Sequence, residues 1–177
     1  MIGLFFEVVP LAGHAPRYFE LAAALRPELD KNGGLLFIDR YSSLDRPDVV
    51  LSHSWWEDEQ ALIRWREHTQ HRAIQRAGRE RHFKDYRLRI GRLRQPSETG
   101  LATHGVWTER CDTEPARRPG AERFRSVYRE SKFLVLGHGT CCERDCKAET
   151  HMFEVIRDYT MYDRAEAPQH YPPVERR

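Results

Sequence analysis

Three cysteines lie between two histidines in the stretch His138–His151, "HGTCCERDCKAETH", and the chain has one further cysteine, Cys111. Thiolates and imidazoles suit zinc, cuprous copper or iron. His138, Cys141, Cys142, Cys146 and His151 are therefore a candidate metal-ligand set. Structural zinc favours Cys-x2–4-Cys knuckles, because two ligands must turn toward one ion. Cys142 and Cys146 meet that spacing, whereas adjacent Cys141 and Cys142 point apart along an extended chain. Arg144 and Lys147 would lower a nearby thiol pKa, and Glu143, Asp145 and Glu149 oppose them. A metal site, a redox loop and a hairpin loop with structural cysteines all remain open.

The elements that must position these groups follow from periodicity. Residues 2–9, "IGLFFEVV", have the apolar, β-branched and aromatic character of a buried strand. In "GHAPRYFELAAALRPELDKNGG", Tyr18, Leu21, Ala22, Leu25 and Leu29 share one face at helical spacing. Pro16 suits the first turn, Gly33-Gly34 the stop, and Pro27 predicts a kink. Residues 35–56 form a hairpin of two strands around "RPD". Its alternation places Val50, Ser52, Ser54 and Trp56 on one face and Val49, Leu51, His53 and Trp55 on the other. "EDEQALIRWREH" opens a second helix, which continues to Gly78, and "RHFKDYRLRIGRL" is a fourth strand.

The order is β-α-β-β-α-β over residues 1–94, an α+β, ferredoxin-like pattern. Helices cover one face of such a sheet, and a second subunit is expected to cover the other. Residues 95–121, rich in Pro, Gly, Thr and charge, read as a linker. Residues 122–177 read as a β-rich C-terminal extension with three strands and a proline-rich tail. "RYSSLDRPDVVLSHS" and "SVYRESKFLVLGHG" share a pattern, which makes a degraded second copy of the first half an alternative.

Composition narrows the class. The chain has 177 residues, 40% hydrophobic content and net charge +2, which suits one largish domain with a real core. No apolar run approaches the ~20 residues of a membrane span. The N-terminus reads as a strand, not a signal peptide, so the expected location is the cytoplasm, with reduced thiols. Between Arg76 and Arg94 eight Lys/Arg face only Glu80 and Asp85, the balance of a solvated face or a phosphate-binding segment. The element order is shared with an RNA-recognition module, but the aromatic motif of that module is missing, which argues against nucleic acid.

Residues 1–93 resemble the antibiotic biosynthesis monooxygenase (ABM) family. The pieces that carry the resemblance are the hairpin running into "WEDEQA", then "WR", "HRAIQRAGR", and an aromatic strand ending in "DYRL". The resemblance implies a dimeric α+β barrel with a pocket between sheet and helices. It implies a cofactor-independent monooxygenase that oxidises an aromatic or other hydrophobic small molecule with O2. Related folds degrade haem using an Asn on the first strand, a Trp, and a His about ten residues later. Here Trp65 matches the Trp, but Glu7 and Gln75 stand at the other two positions, which argues against haem. The alternative functions are a metal- or haem-binding protein using residues 138–151, and a non-catalytic barrel that binds a small ligand.

Cofactor-free oxygenation needs a base near neutral pKa, an apolar pocket and a donor for developing negative charge. Histidine, with an unperturbed pKa of ~6.5, is the natural base. His71 and His53 are the candidates, with His82 at the start of the fourth strand a further one. Trp65 and Arg79 complete the candidate catalytic set, Arg79 steadying an anion. Trp55, Trp56, Phe83 and Tyr86 are the candidate substrate-binding walls.

Overall fold

The computed structural model describes residues 1–95, 104–139 and 150–176. The first half builds β1 (Ile2–Pro10), α1 (Ala15–Ala24), α2 (Arg26–Asn32), β2 (Leu35–Ser43), β3 (Val50–Trp56), α3 (Glu59–Glu67), α4 (Thr69–Ala77), a π-helical turn (Gly78–His82) and β4 (Phe83–Leu93). The second half adds β5 (Gly105–Cys111), β6 (Ala121–Ser126), β7 (Phe133–His138) and β8 (Thr150–Thr160). The kink expected at Pro27 is a full break. Leu25 ends α1 and caps α2, whose first turn holds the proline. Asp58 caps α3 by accepting a hydrogen bond from the Ala61 backbone N–H at 2.8 Å, which satisfies one of the donors a helix start leaves open. No helix among the described residues is long and apolar enough to cross a membrane.

The eight strands close into one antiparallel barrel in the order β1-β3-β2-β6-β7-β5-β8-β4. β2 joins β6 from Tyr41–Ser126 to Ser43–Phe124, and β4 joins β8 from Arg87–Thr160 to Leu93–Phe153. The sheet face expected to lie against a second subunit is thus covered by the chain's own C-terminal half. Phe5, Leu51 and Val49 from the first half pack there against Phe124, Leu134, Leu136 and Phe153 from the second. Closure also removes the strand edges that an open sheet would leave unpaired.

The expected linker is corrected in part. Residues Gly105–Cys111 within it form β5, paired to β7 on one side and β8 on the other. Its alternation sends Val106 into the barrel core, and the flanking Pro, Gly and Thr residues hid so short a strand in the sequence. The basic segment 76–94 is largely neutralised within the fold. Arg87 pairs with Asp158, Arg89 with Glu7, Arg92 with Glu154 and Arg76 with Glu80.

The second four strands repeat the neighbour order of the first four, β2-β3-β1-β4 and β6-β7-β5-β8. Side chains repeat as well. Ser43 and Arg46 both bond to Glu122, and Ser126 and Arg129 both bond to Asp39. Each residue matches its counterpart at one constant shift (126 − 43, 129 − 46 and 122 − 39 all give 83).

Candidate active site

Strand parity decides which side chains meet the helices. Leu4 and Phe6 of β1, Ile38 and Arg40 of β2, and Ser52, Ser54 and Trp56 of β3 face outward from the barrel. Helices α1–α4 lie over them and cover a cavity of about 180 Å³. The π-helical turn fits close against the sheet. A Cβ on Gly78 would stand 2.4 Å from the Phe83 ring, so only glycine allows that approach.

The cavity has an apolar end and a cationic end. Trp56, Trp65, Leu62, Leu25 and Leu29 pack together at the first. His71 belongs to this end, because its ring stacks on Trp65 at 4.4 Å between centroids and 17° between planes. Its Nδ1 lies 2.8 Å from the Trp65 carbonyl oxygen. A carbonyl only accepts, so Nδ1 carries the proton and Nε2 is the acceptor. Burial pushes the His71 pKa down to about 4, against the pull of that carbonyl. The imidazole is neutral at neutral pH.

At the other end Arg79, 3% exposed, donates to the Tyr86 hydroxyl at 2.7 Å and to the Met161 carbonyl at 3.0 Å. Its second terminal nitrogen donates to the Pro172 carbonyl. Arg164 donates to the same Tyr86 hydroxyl at 2.7 Å and to the Gln169 carbonyl at 2.8 Å. The Tyr171 ring lies 5.3 Å from each guanidinium, and its hydroxyl bonds to Gln75. The proline-rich tail thus forms one wall of the cavity.

Of the expected catalytic and substrate-binding residues, His71, Trp65, Arg79, Trp56, Phe83 and Tyr86 line this one cavity. His53 and Trp55 do not. They project to the opposite face of β3, into the barrel, where His53 stacks on Phe5 at 4.5 Å. The His53 Nδ1 meets the Leu4 carbonyl at 3.0 Å, and its Nε2 accepts from the Trp55 indole N–H at 2.7 Å. Both ring nitrogens are occupied, so His53 is a core residue with no free valence for substrate. Glu7 also faces the barrel interior, bonded to Arg89 and Arg46. His82 sits outside the cavity, its Nδ1 3.1 Å from that of His14.

Of the candidate metal set, His138 and His151 alone lie among the described residues. Cys141, Cys142 and Cys146 lie outside the described residues. His138 and His151 are on strands separated by β5, opposite Val106 and Thr108. At ~4.8 Å per strand that separates their backbones by roughly 10 Å. His138 accepts from Arg89 at 2.9 Å, and His151 packs edge-on against Trp55. Among the described residues no group of three His, Cys, Asp or Glu side chains could hold a metal ion.

Sequence reasoning missed Tyr18, Arg40, Arg164, Gln169 and Tyr171 as cavity residues. The parity that separates Ser52 from His53 also marks Arg40, which pairs with Ser52 across β2 and β3. Nothing local marks the tail residues, whose position depends on long-range packing. A chain ending at Asp163 is expected to keep its far-UV circular dichroism. It should lose about 1–3 kcal/mol in urea unfolding, because Arg79 loses a buried acceptor. Its tryptophan fluorescence should also become more accessible to acrylamide. Unchanged quenching would show that the tail does not wall the cavity.

Residues 1–77 match the family model described as antibiotic biosynthesis monooxygenase. A curated relative, the jasmonate monooxygenase ABM of Pyricularia oryzae, is 27% identical over 214 residues, spanning 98% of this chain and 100% of that protein. A solved structure from Pseudomonas aeruginosa superposes with TM-score 0.45 and 17% identity, over 50% of this chain and 89% of that one. A monooxygenase-named structure from Lactobacillus acidophilus NCFM gives TM-score 0.48 and 6% identity, over 88% and 92%. Residues 1–77 are therefore similar to the ABM domain.

Proposed function

We propose, taking the similarity of residues 1–77 to the ABM domain as premise, that the chain oxidises a hydrophobic small molecule with O2 and no bound cofactor. The reaction takes place in the cavity beneath α1–α4. One observation carries the reading: an apolar chamber whose wall presents a neutral histidine stacked on a tryptophan. The Nε2 of His71, a weak base at about 4 in the empty cavity, takes a proton from an activated C–H of the substrate, and the anion formed beside it stabilises the imidazolium. The resulting carbanion passes an electron to O2, and the radicals combine to a peroxide. Loss of water from the hydroperoxide leaves a ketone. An activated methylene thereby becomes a carbonyl, one oxygen atom stays in the product, the other leaves as water, and no outside reductant is needed. Arg79 and Arg164 are the donors nearest a developing oxyanion at the Tyr86 end.

Anthrone is the first substrate to test, because its methylene is activated on both sides. Jasmonic acid is the second, on the strength of the relative's name. Simple hydroxylation of an unactivated C–H would demand two electrons from a reductant, so the assay is run with and without NADPH. With 18O2, one labelled atom is expected in the product. His71→Ala should lower kcat at least ~100-fold, the usual range for a removed general base. His53→Ala should act through stability and leave the remaining folded fraction active. No oxygen uptake with any member of an aromatic and oxylipin panel would remove the proposal.

A further inference from the structure

Twenty-seven of the described residues line the cavity, and among them are four arginines, Arg40, Arg66, Arg79 and Arg164, and no aspartate or glutamate. The phenols do not supply the missing negative charge. Burial pushes the hydroxyls of Tyr18 and Tyr171 upward and that of Tyr159 up to about 12, so all three remain protonated. A low-dielectric chamber with this excess of positive charge attracts an anion.

The four guanidiniums are not equivalent. Arg66 forms an ion pair with Glu67 at 3.2 Å. Arg79 and Arg164 already donate to Tyr86, Met161, Pro172 and Gln169. Arg40 has no ion pair among the described residues. It faces the hydroxyls of Tyr18 and Tyr128, and its buried Nε–H has no acceptor. A buried charged donor without a partner is costly unless a ligand supplies one. Ser52 stands beside Arg40 in the sheet register and close to the Tyr18 hydroxyl.

Resting on the monooxygenase reading for its chemistry, we propose that the cavity takes a hydrophobic monocarboxylic acid with its carboxylate seated on Arg40. The hydroxyls of Tyr18 and Ser52 complete the seat. The hydrocarbon runs along β3 toward Trp56, four residues from Ser52, which is about 13 Å at ~3.3 Å per residue. A medium-length acid fills that span. It carries its far end to Trp65 and His71, so the activated C–H that the proposed reaction requires lies at the end remote from the carboxylate.

The test is calorimetric titration with decanoate and with decanamide, a neutral near-isostere, below micelle concentration and without O2. Decanoate is expected to bind at least ~10-fold more tightly than decanamide, the scale of a hydrogen-bonded charge. Arg40→Met should abolish that preference and leave decanamide affinity within about twofold. Equal affinity of wild type for the two ligands, or binding of neither, overturns the proposal. So does a preference that survives Arg40→Met but is lost in Arg164→Gln. The comparison on wild type stands even if Arg40→Met fails to fold. Titration without O2 also keeps this result separate from oxygenation: turnover can fail while the carboxylate preference holds, and the reverse.

Discussion

Glu7→Gln is expected to cost about 3–5 kcal/mol in urea unfolding, on the order of 10 °C in melting temperature. The substitution keeps the shape of the side chain and removes one charge. Glu7 lies inside the barrel, 8% exposed, against Arg89, which is 1% exposed. The remaining contacts of Arg89 cannot replace the carboxylate. Its other terminal nitrogen donates to the neutral Nδ1 of His138 at 2.9 Å, and its Nε has no acceptor among the described residues. Burial already pushes the Arg89 pKa downward, and Glu7 is the main group that holds it up. Without Glu7 a guanidinium would remain buried and unpaired, the costly outcome when one half of an ion pair is deleted.

Adding Arg89→Met to Glu7→Gln should recover more than half of that loss, because a buried ion pair replaced by apolar volume is often near neutral. Arg46, half exposed, would then keep its second carboxylate, Glu122. If the double variant is as unstable as Glu7→Gln alone, the penalty does not come from an orphaned charge.

Much of the first half was legible because its signals are local. Pro27, the Asp58 cap, the "RPD" turn and the period-two run from Val50 to Trp56 each act within a few residues. That same alternation already separated His53 and Trp55 from Ser54 and Trp56. Placing all of them in one site ignored that a strand shows only one face to the helices. The barrel itself was not legible. A greasy sheet face reads the same whether a twin chain or β5–β8 covers it. The choice depends on the Tyr41–Ser126 and Leu88–Tyr159 pairings, between residues far apart in sequence. Arg164 and Tyr171 were invisible for the same reason, since only the closed fold brings the tail across α4.

Acid should weaken the protein well before its carboxylates titrate, and His53 identifies the cause. Buried in the barrel, its imidazole is pushed down to about 4 by loss of solvent, despite the Leu4 carbonyl. In the unfolded chain the group returns to ~6.5. Above ~6.5 both states are neutral and the full stability is present. As pH falls from ~6.5 toward about 4, the unfolded chain binds a proton that the folded chain refuses. The loss is about 1.4 kcal/mol per pH unit, or roughly 3 kcal/mol over the window. A proton on Nε2 would also point at the Trp55 N–H that now donates to it. His71 titrates in the same direction, so the two together should make the slope between pH 6 and pH 5 steep. The carboxylates of Asp45, Glu154 and Asp158 are held low, and their contribution is lost only at lower pH. Urea unfolding at pH 7, 6 and 5 reads this directly. His53→Phe should be less stable at pH 7, because the Trp55 indole loses its acceptor. Its slope from pH 6 to pH 5 should be shallower than wild type by up to ~1.4 kcal/mol per pH unit. An equal slope in the two proteins would mean that His53 is not neutral in the folded barrel.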